Sequence, residues 1–170
     1  MKNIFRSRVL VFAALAMPLF AATVHAGEHD RERDHLRAAE RQADYPSRPI
    51  QKWETDEIVR KGMENIRQAI MTKQDGIQRN SLGAEGYQQL AEVINRNVDD
   101  IIKNCKLTQA VDAALHVVVL TDLTRSSELM RTSPKLAAQR AAAIGILQSL
   151  RLYGEYFQHP NWNVEALKSS

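Results

Sequence analysis

The chain has 170 residues, 44% of them hydrophobic and 25% charged, with 23 Lys and Arg against 20 Asp and Glu. Its one cysteine, Cys105, excludes an intrachain disulfide, and no Cys-x-x-Cys-His string is present for covalent attachment of c-type haem. The positive excess lies in Lys2, Arg6 and Arg8; without these the balance is 20 against 20, which gives no reason to expect nucleic acid or an anionic membrane as partner.

Those three cations head a secretory signal pattern over residues 1–26. Val9 to Ala22 is apolar apart from Pro18, and Val24-His25-Ala26 places small apolar residues three before and immediately before a cut after Ala26. The apolar run is too short to span a bilayer, so export to the periplasm is expected, with no membrane span after cleavage. Removing 26 of 170 residues leaves 144, enough for one domain with a sizeable core.

Residues 27–52 read as a charged arm and a linker. The stretch from Glu28 to Arg41 is dense in charge and lacks a useful apolar stripe; His29 and His35 lie among its acids without the spacing of a defined metal site, which fits a solvated tail. Pro46 and Pro49 stiffen the chain beyond it.

Four helices are predicted over residues 53–160. The first runs from about Thr55 to Lys73, with Thr55 or Asp56 as N-cap and Val59, Met63, Ile66, Ile70 and Ile77 on one face. Asp75-Gly76 and Asn80-Ser81 punctuate the chain after it. The second runs from Gly83 or Ala84 to Lys103, with Tyr87, Leu90, Ile94, Val98, Ile101 and Cys105 as its stripe. The third runs from about Thr108 to Arg131, with Val111, Leu115, Val118, Val119 and Leu123 inside. Ser133-Pro134 starts the fourth, with Pro at the first helical position, and His159-Pro160 ends it. No segment alternates with period two, so no sheet is expected. Short connections between helices of this length predict an all-α fold: an antiparallel up-down-up-down four-helix bundle, preceded by the charged N-terminal arm and followed by a tail over 161–170. Trp53 is expected to cap one bundle end. Arg140 falls on an inner stripe, where it would snorkel or pair with an acid such as Asp122.

The candidate site is Met63, Cys105 and His116. In such a bundle the first and third helices run the same way, and Met63 and His116 each lie about eight residues along, roughly 12 Å above one end. Cys105, low on the second helix, leans upward while the other two lean downward. Thioether, thiolate and imidazole together suit Cu(I). Met63 and His116 alone would serve as axial ligands of non-covalent b-type haem, with Gly62, Ala113, Ala114 and Gly154 lining its cavity. Asp112, one turn before His116, is placed to fix the imidazole tautomer.

An exported four-helix domain with Met63 in its first helix resembles the small soluble b-type cytochromes. The likeness is one of architecture, and it implies haem b held by Met63 and a histidine. That family carries its histidine late in the fourth helix, whereas His116 opens the third. The strings Trp53-Glu-Thr-Asp56, Arg60-Lys-Gly-Met63, Asn104-Cys105-Lys-Leu107 and Asp112-Ala-Ala-Leu115-His116 also resemble those of uncharacterised exported bacterial proteins, which implies no activity.

Each candidate has a structural reading: Met63 as core filler, Cys105 as an inert thiol, His116 as a hydrogen-bonded boundary residue. No Ser-His-Asp set, nucleophile elbow, pair of Glu-x-x-His motifs or phosphate loop is present, so no enzyme is expected. The sequence thus points to an exported helical binding protein, monomer or homodimer, with copper through Met63, Cys105 and His116 as a candidate ligand of its core and no bound cofactor as the leading expectation. The alternatives are a haem b electron carrier and a cofactor-free periplasmic interaction or stress module.

Overall fold

A computed structural model describes residues 45–163, which belong to one compact unit. The expected signal segment, the arm up to residue 44 and the tail from 164 lie outside the described residues. The described chain is all-α apart from two strand residues at each end of the helical region. It contains β1 (Trp53–Glu54), α1 (Glu57–Gln78), α2 (Ala84–Asn104), α3 (Gln109–Leu115), a π-helical segment (His116–Leu120), α4 (Thr121–Thr132), α5 (Leu136–Tyr156) and β2 (Phe157–Gln158). Among the described residues no helix is long and apolar enough to cross a membrane.

Helix α1 begins where an acceptor is supplied for its first orphan amides. Asp56 is the N-cap, and its Oδ1 accepts from the Val59 amide at 2.8 Å. Val59, Met63, Ile66, Ile70 and Ile77 all face inward as their spacing requires. The helix does not stop at Asp75-Gly76. It runs through them to Gln78 and reverses at Asn80, whose φ of 54° is the left-handed conformation that closes many helices. Two tertiary features hold the extra turn. Ile77 is buried, and the Arg140 guanidinium from α5 donates to the carbonyls of Ile77 at 2.7 Å and Gln78 at 3.2 Å. Arg140 therefore neither snorkels nor pairs with Asp122. It satisfies carbonyls that a helix C-terminus leaves open and places a cation at the negative end of the dipole.

The third helix is a continuous rod with one irregular turn. Backbone dihedrals stay right-handed helical at Leu115, His116, Leu120 and Thr121, but the Thr121 amide reaches back five residues to the His116 carbonyl. The Thr121 hydroxyl donates to the same carbonyl at 2.8 Å. The wide turn lets Val118, Val119 and Leu120, three residues in succession, all be buried.

Helix α5 starts at Leu136 and not at Pro134. Lys135 is its N-cap, in extended conformation. Gln139 explains the delay: its buried side-chain amide donates to the carbonyls of Met130 and Ser133, both at 3.0 Å, and draws that connection over the helix start. The expectation of no sheet also fails locally. Trp53 pairs with Phe157 and Glu54 with Gln158, in parallel. Two residues are too few for an alternating pattern to be visible in sequence.

The helices pack in order: α1 on α2, α2 on α4, α4 on α5, and α5 on α1. Gly62 makes the first contact close. A methyl group there would lie 2.7 Å from Cδ1 of Ile101, so the absence of a side chain is what admits Ile101. Asn65 bonds Asn97 across the same interface at 2.9 Å. On α2 and α4 Asn95 meets Ser127, and on α4 and α5 Ser126 faces Gly145 at 3.2 Å from an added Cβ.

Candidate functional site

The structure gives the three residues chosen from the sequence different surroundings. Met63 is fully buried at 0% exposure, on the stripe of α1 between Val59 and Ile66, in one continuous apolar cluster. His116 opens the π segment, and 41% of its side chain remains exposed. Leu115 before it and Val118 after it take the core positions, which leaves His116 and Val117 on the outside. Cys105 is partly buried and serves as the C-cap residue of α2.

What the fold does bring together is Cys105, Asp112 and His116. The Cys105 thiol donates to Oδ1 of Asp112 at 3.6 Å, and Nε2 of His116 lies 3.8 Å from the same oxygen. The short connection Cys105-Lys-Leu-Thr108 produces this corner by folding the end of α2 against the first turn of α3. Asp56 braces it from α1 by accepting from the Lys106 amide as well as capping its own helix. Burial, and then the Asp112 carboxylate, push the Cys105 thiol above its usual range, with Asp56 adding in the same direction. The free protein therefore presents a neutral thiol here and not a thiolate, which is the form that attacks or binds metal. Among the described residues no group of three or more His, Cys, Asp or Glu side chains is placed to hold a metal ion.

The four small residues expected around a porphyrin stand in different surroundings. Gly62 is closed over by Ile101, Ala113 is exposed, and Ala114 is buried in the core cluster. The Gly154 carbonyl accepts from Nζ of Lys52 at 2.6 Å. A cavity of about 10 Å³ lies between α1 and α5, lined by Ile70, Ile77, Ile144 and Leu147 with Gln74 and Arg140. It has room for about one water molecule.

A second constellation, of which the sequence offered only Trp53 as an end cap, lies where β2 leaves α5. The hydroxyl of buried Tyr153 and Nδ1 of His159 are 3.1 Å apart. Trp162 meets Tyr153 edge to face at 4.8 Å and lies 4.8 Å from the His159 ring. Arg67 of α1 stands 5.8 Å over the Trp162 ring while its guanidinium grips both carboxylate oxygens of Glu64, at 2.8 and 2.6 Å. Trp53 closes the end against Tyr156 and Phe157 at 6.0 and 5.5 Å. The sequence carried a signal for this cluster: both tryptophans and Tyr153, Tyr156 and Phe157 flank the ends of the helical region.

The chain matches no protein-family model, no curated protein and no solved structure.

Proposed function

We propose that this is an exported, cofactor-free helical module that acts through its surface in the periplasm. Its targeting rests on the signal pattern of residues 1–26. Its four rods are read as an up-down-up-down bundle, which is supported by paired contacts whose residue numbers rise on one helix as they fall on the next: Gly62 with Ile101 and Asn65 with Asn97, Asn95 with Ser127 and Cys105 with Asp112, Ser126 with Gly145 and Met130 with Gln139. The observation that carries the functional reading is the closed packing around Met63, which has no exposed surface and whose neighbour Gly62 is filled over by Ile101. A porphyrin at Met63 would have to displace the Ile101 side chain that lies against Gly62.

The surface feature most in need of a reason is the π turn, a rare and less stable geometry often found at functional sites. It displays His116 and Val117 beside the Asp112 and Cys105 corner, which makes this the reading's contact face. A second reading keeps copper but moves it outward. Asp112 gathers Cys105 and His116 within 4 Å of one oxygen, and Cu(I) would displace the thiol proton and draw on the imidazole. The test is the absorption spectrum and metal content of protein purified from the periplasm without chelator, before and after Cu(I). No Soret band and no stoichiometric copper are expected. A Soret band would overturn the proposal in favour of haem; stoichiometric copper lost in Cys105→Ser would replace it with the second reading.

A further inference from the structure

The segment after α5 does not trail away from the bundle but doubles back along α1. Its course follows from the local sequence. β2 runs parallel to β1, and the residues after it meet α1 in rising order, His159 within range of Arg60 and Glu64 and Trp162 under Arg67. Thr55 locks the start, its hydroxyl donating to the Gln158 carbonyl at 2.9 Å. His159-Pro160-Asn161-Trp162 then forms a tight turn, with the Trp162 amide donating to the His159 carbonyl at 3.2 Å and Asn161 at a φ of 61°. Proline at the second position and a left-handed asparagine at the third are the pattern of a type II turn. The turn presents the two rings, His159 and Trp162, together against Tyr153.

The charges around His159 are unbalanced. From α1, Arg60, Glu64 and Arg67 act on it; from α5, it meets the Tyr153 hydroxyl, itself within range of Thr55 and Asp56. The single carboxylate, Glu64, is already gripped by Arg67 and also accepts from Gln68 at 2.9 Å. Two guanidiniums and one engaged carboxylate therefore surround the imidazole. Beyond β2 the anchors include ring contacts, the Arg67 stack and the Tyr153–His159 hydrogen bond.

We propose that residues 159–163 form an acid-released strap: neutral His159 holds Trp162 against Tyr153 and Arg67, and a proton on His159 lifts the turn off α1 and uncovers that aromatic face. The direction is set by linkage. Burial holds the His159 imidazole below its ordinary value, with Arg60 and Arg67 acting the same way and Glu64 against them. The closed strap thus binds the proton less well than the open one. Its stability is complete above the ordinary imidazole range and is lost as pH falls through the depressed value.

Both tryptophans of the chain lie in this region, Trp162 against Tyr153 and Trp53 against Phe157, so selectively excited tryptophan emission reports on it. The protein, purified as the cell processes it, is titrated from neutral to mildly acidic pH while emission, acrylamide quenching and far-ultraviolet circular dichroism are followed. The expected result is a red shift and increased quenching below the ordinary imidazole range, with unchanged helical dichroism. His159→Phe, which keeps a ring but cannot titrate, is expected to abolish the transition, and His116→Gln to retain it. A flat wild-type profile, the same transition in His159→Phe, or loss of helix together with the fluorescence change would each overturn the proposal.

Discussion

Met63 and His116 stand at nearly the same height in the bundle and share nothing else. The stripe contact of Gly62 with Ile101 and the corner contact of Cys105 with Asp112 put both residues near the last turns of α2. Around Met63 every neighbour on its stripe is apolar and closed to solvent. Around His116 the surroundings are a thiol, a carboxylate and a wide helical turn, and 41% of the side chain meets water. The difference teaches that height along a helix and direction around it are separate pieces of information. A pair of ligands needs both, and on the third helix the inward direction belongs to Leu115 and Val118, which leaves His116 outside.

The contrast can be broken most forcefully at the core. Met63→Ala removes a fully buried side chain from a site with no slack, and urea unfolding should show a loss of about 2–5 kcal/mol. Gly62→Ala puts a methyl 2.7 Å from the end of Ile101, which must shift; a loss of about 1–3 kcal/mol is expected from the same measurement. At the far end of α1, Arg140→Met keeps the apolar stem and removes the donors to Ile77 and Gln78, for a loss of roughly 1 kcal/mol.

The corner should respond quite differently. His116→Ala is expected to change stability by no more than about 0.5 kcal/mol, as at an ordinary surface position. Asp112→Asn deletes a charge that holds the Cys105 thiol high, so the thiolate should form at lower pH than in the wild type. Ultraviolet titration of the thiolate measures this, and an unchanged or higher midpoint would show that the carboxylate does not act on the sulfur.

Much of the fold was legible because α1 and α2 follow one rule throughout. Their apolar residues recur at helical spacing, and the structure buries those residues. The departures have tertiary causes that no local pattern announces. Gly76 stays helical although glycine costs about 1 kcal/mol there, because Arg140 and buried Ile77 hold the turn beyond it. Pro134 lies before the fourth helix because Gln139 folds back on Met130 and Ser133. Val117-Val118-Val119-Leu120 marked an apolar run but not the extra residue that a π turn absorbs. The site was legible only in part for the same reason: the link of Asp112 to His116 follows from one helical turn, whereas Cys105 joins them through the connection between α2 and α3. The strap was invisible because its anchors, Tyr153, His159 and Trp162, meet Glu64 and Arg67 from far along the chain.

On the function proposed above, Met63 belongs to the packing and to no cofactor. Met63→Leu tests it most directly, because it keeps the volume and removes only the thioether. Copper content, visible absorption and unfolding free energy of the purified variant should all match the wild type, the last to within about 1.5 kcal/mol. Loss of bound copper or of a Soret band in Met63→Leu would contradict the claim and return the thioether to the centre of the protein's chemistry.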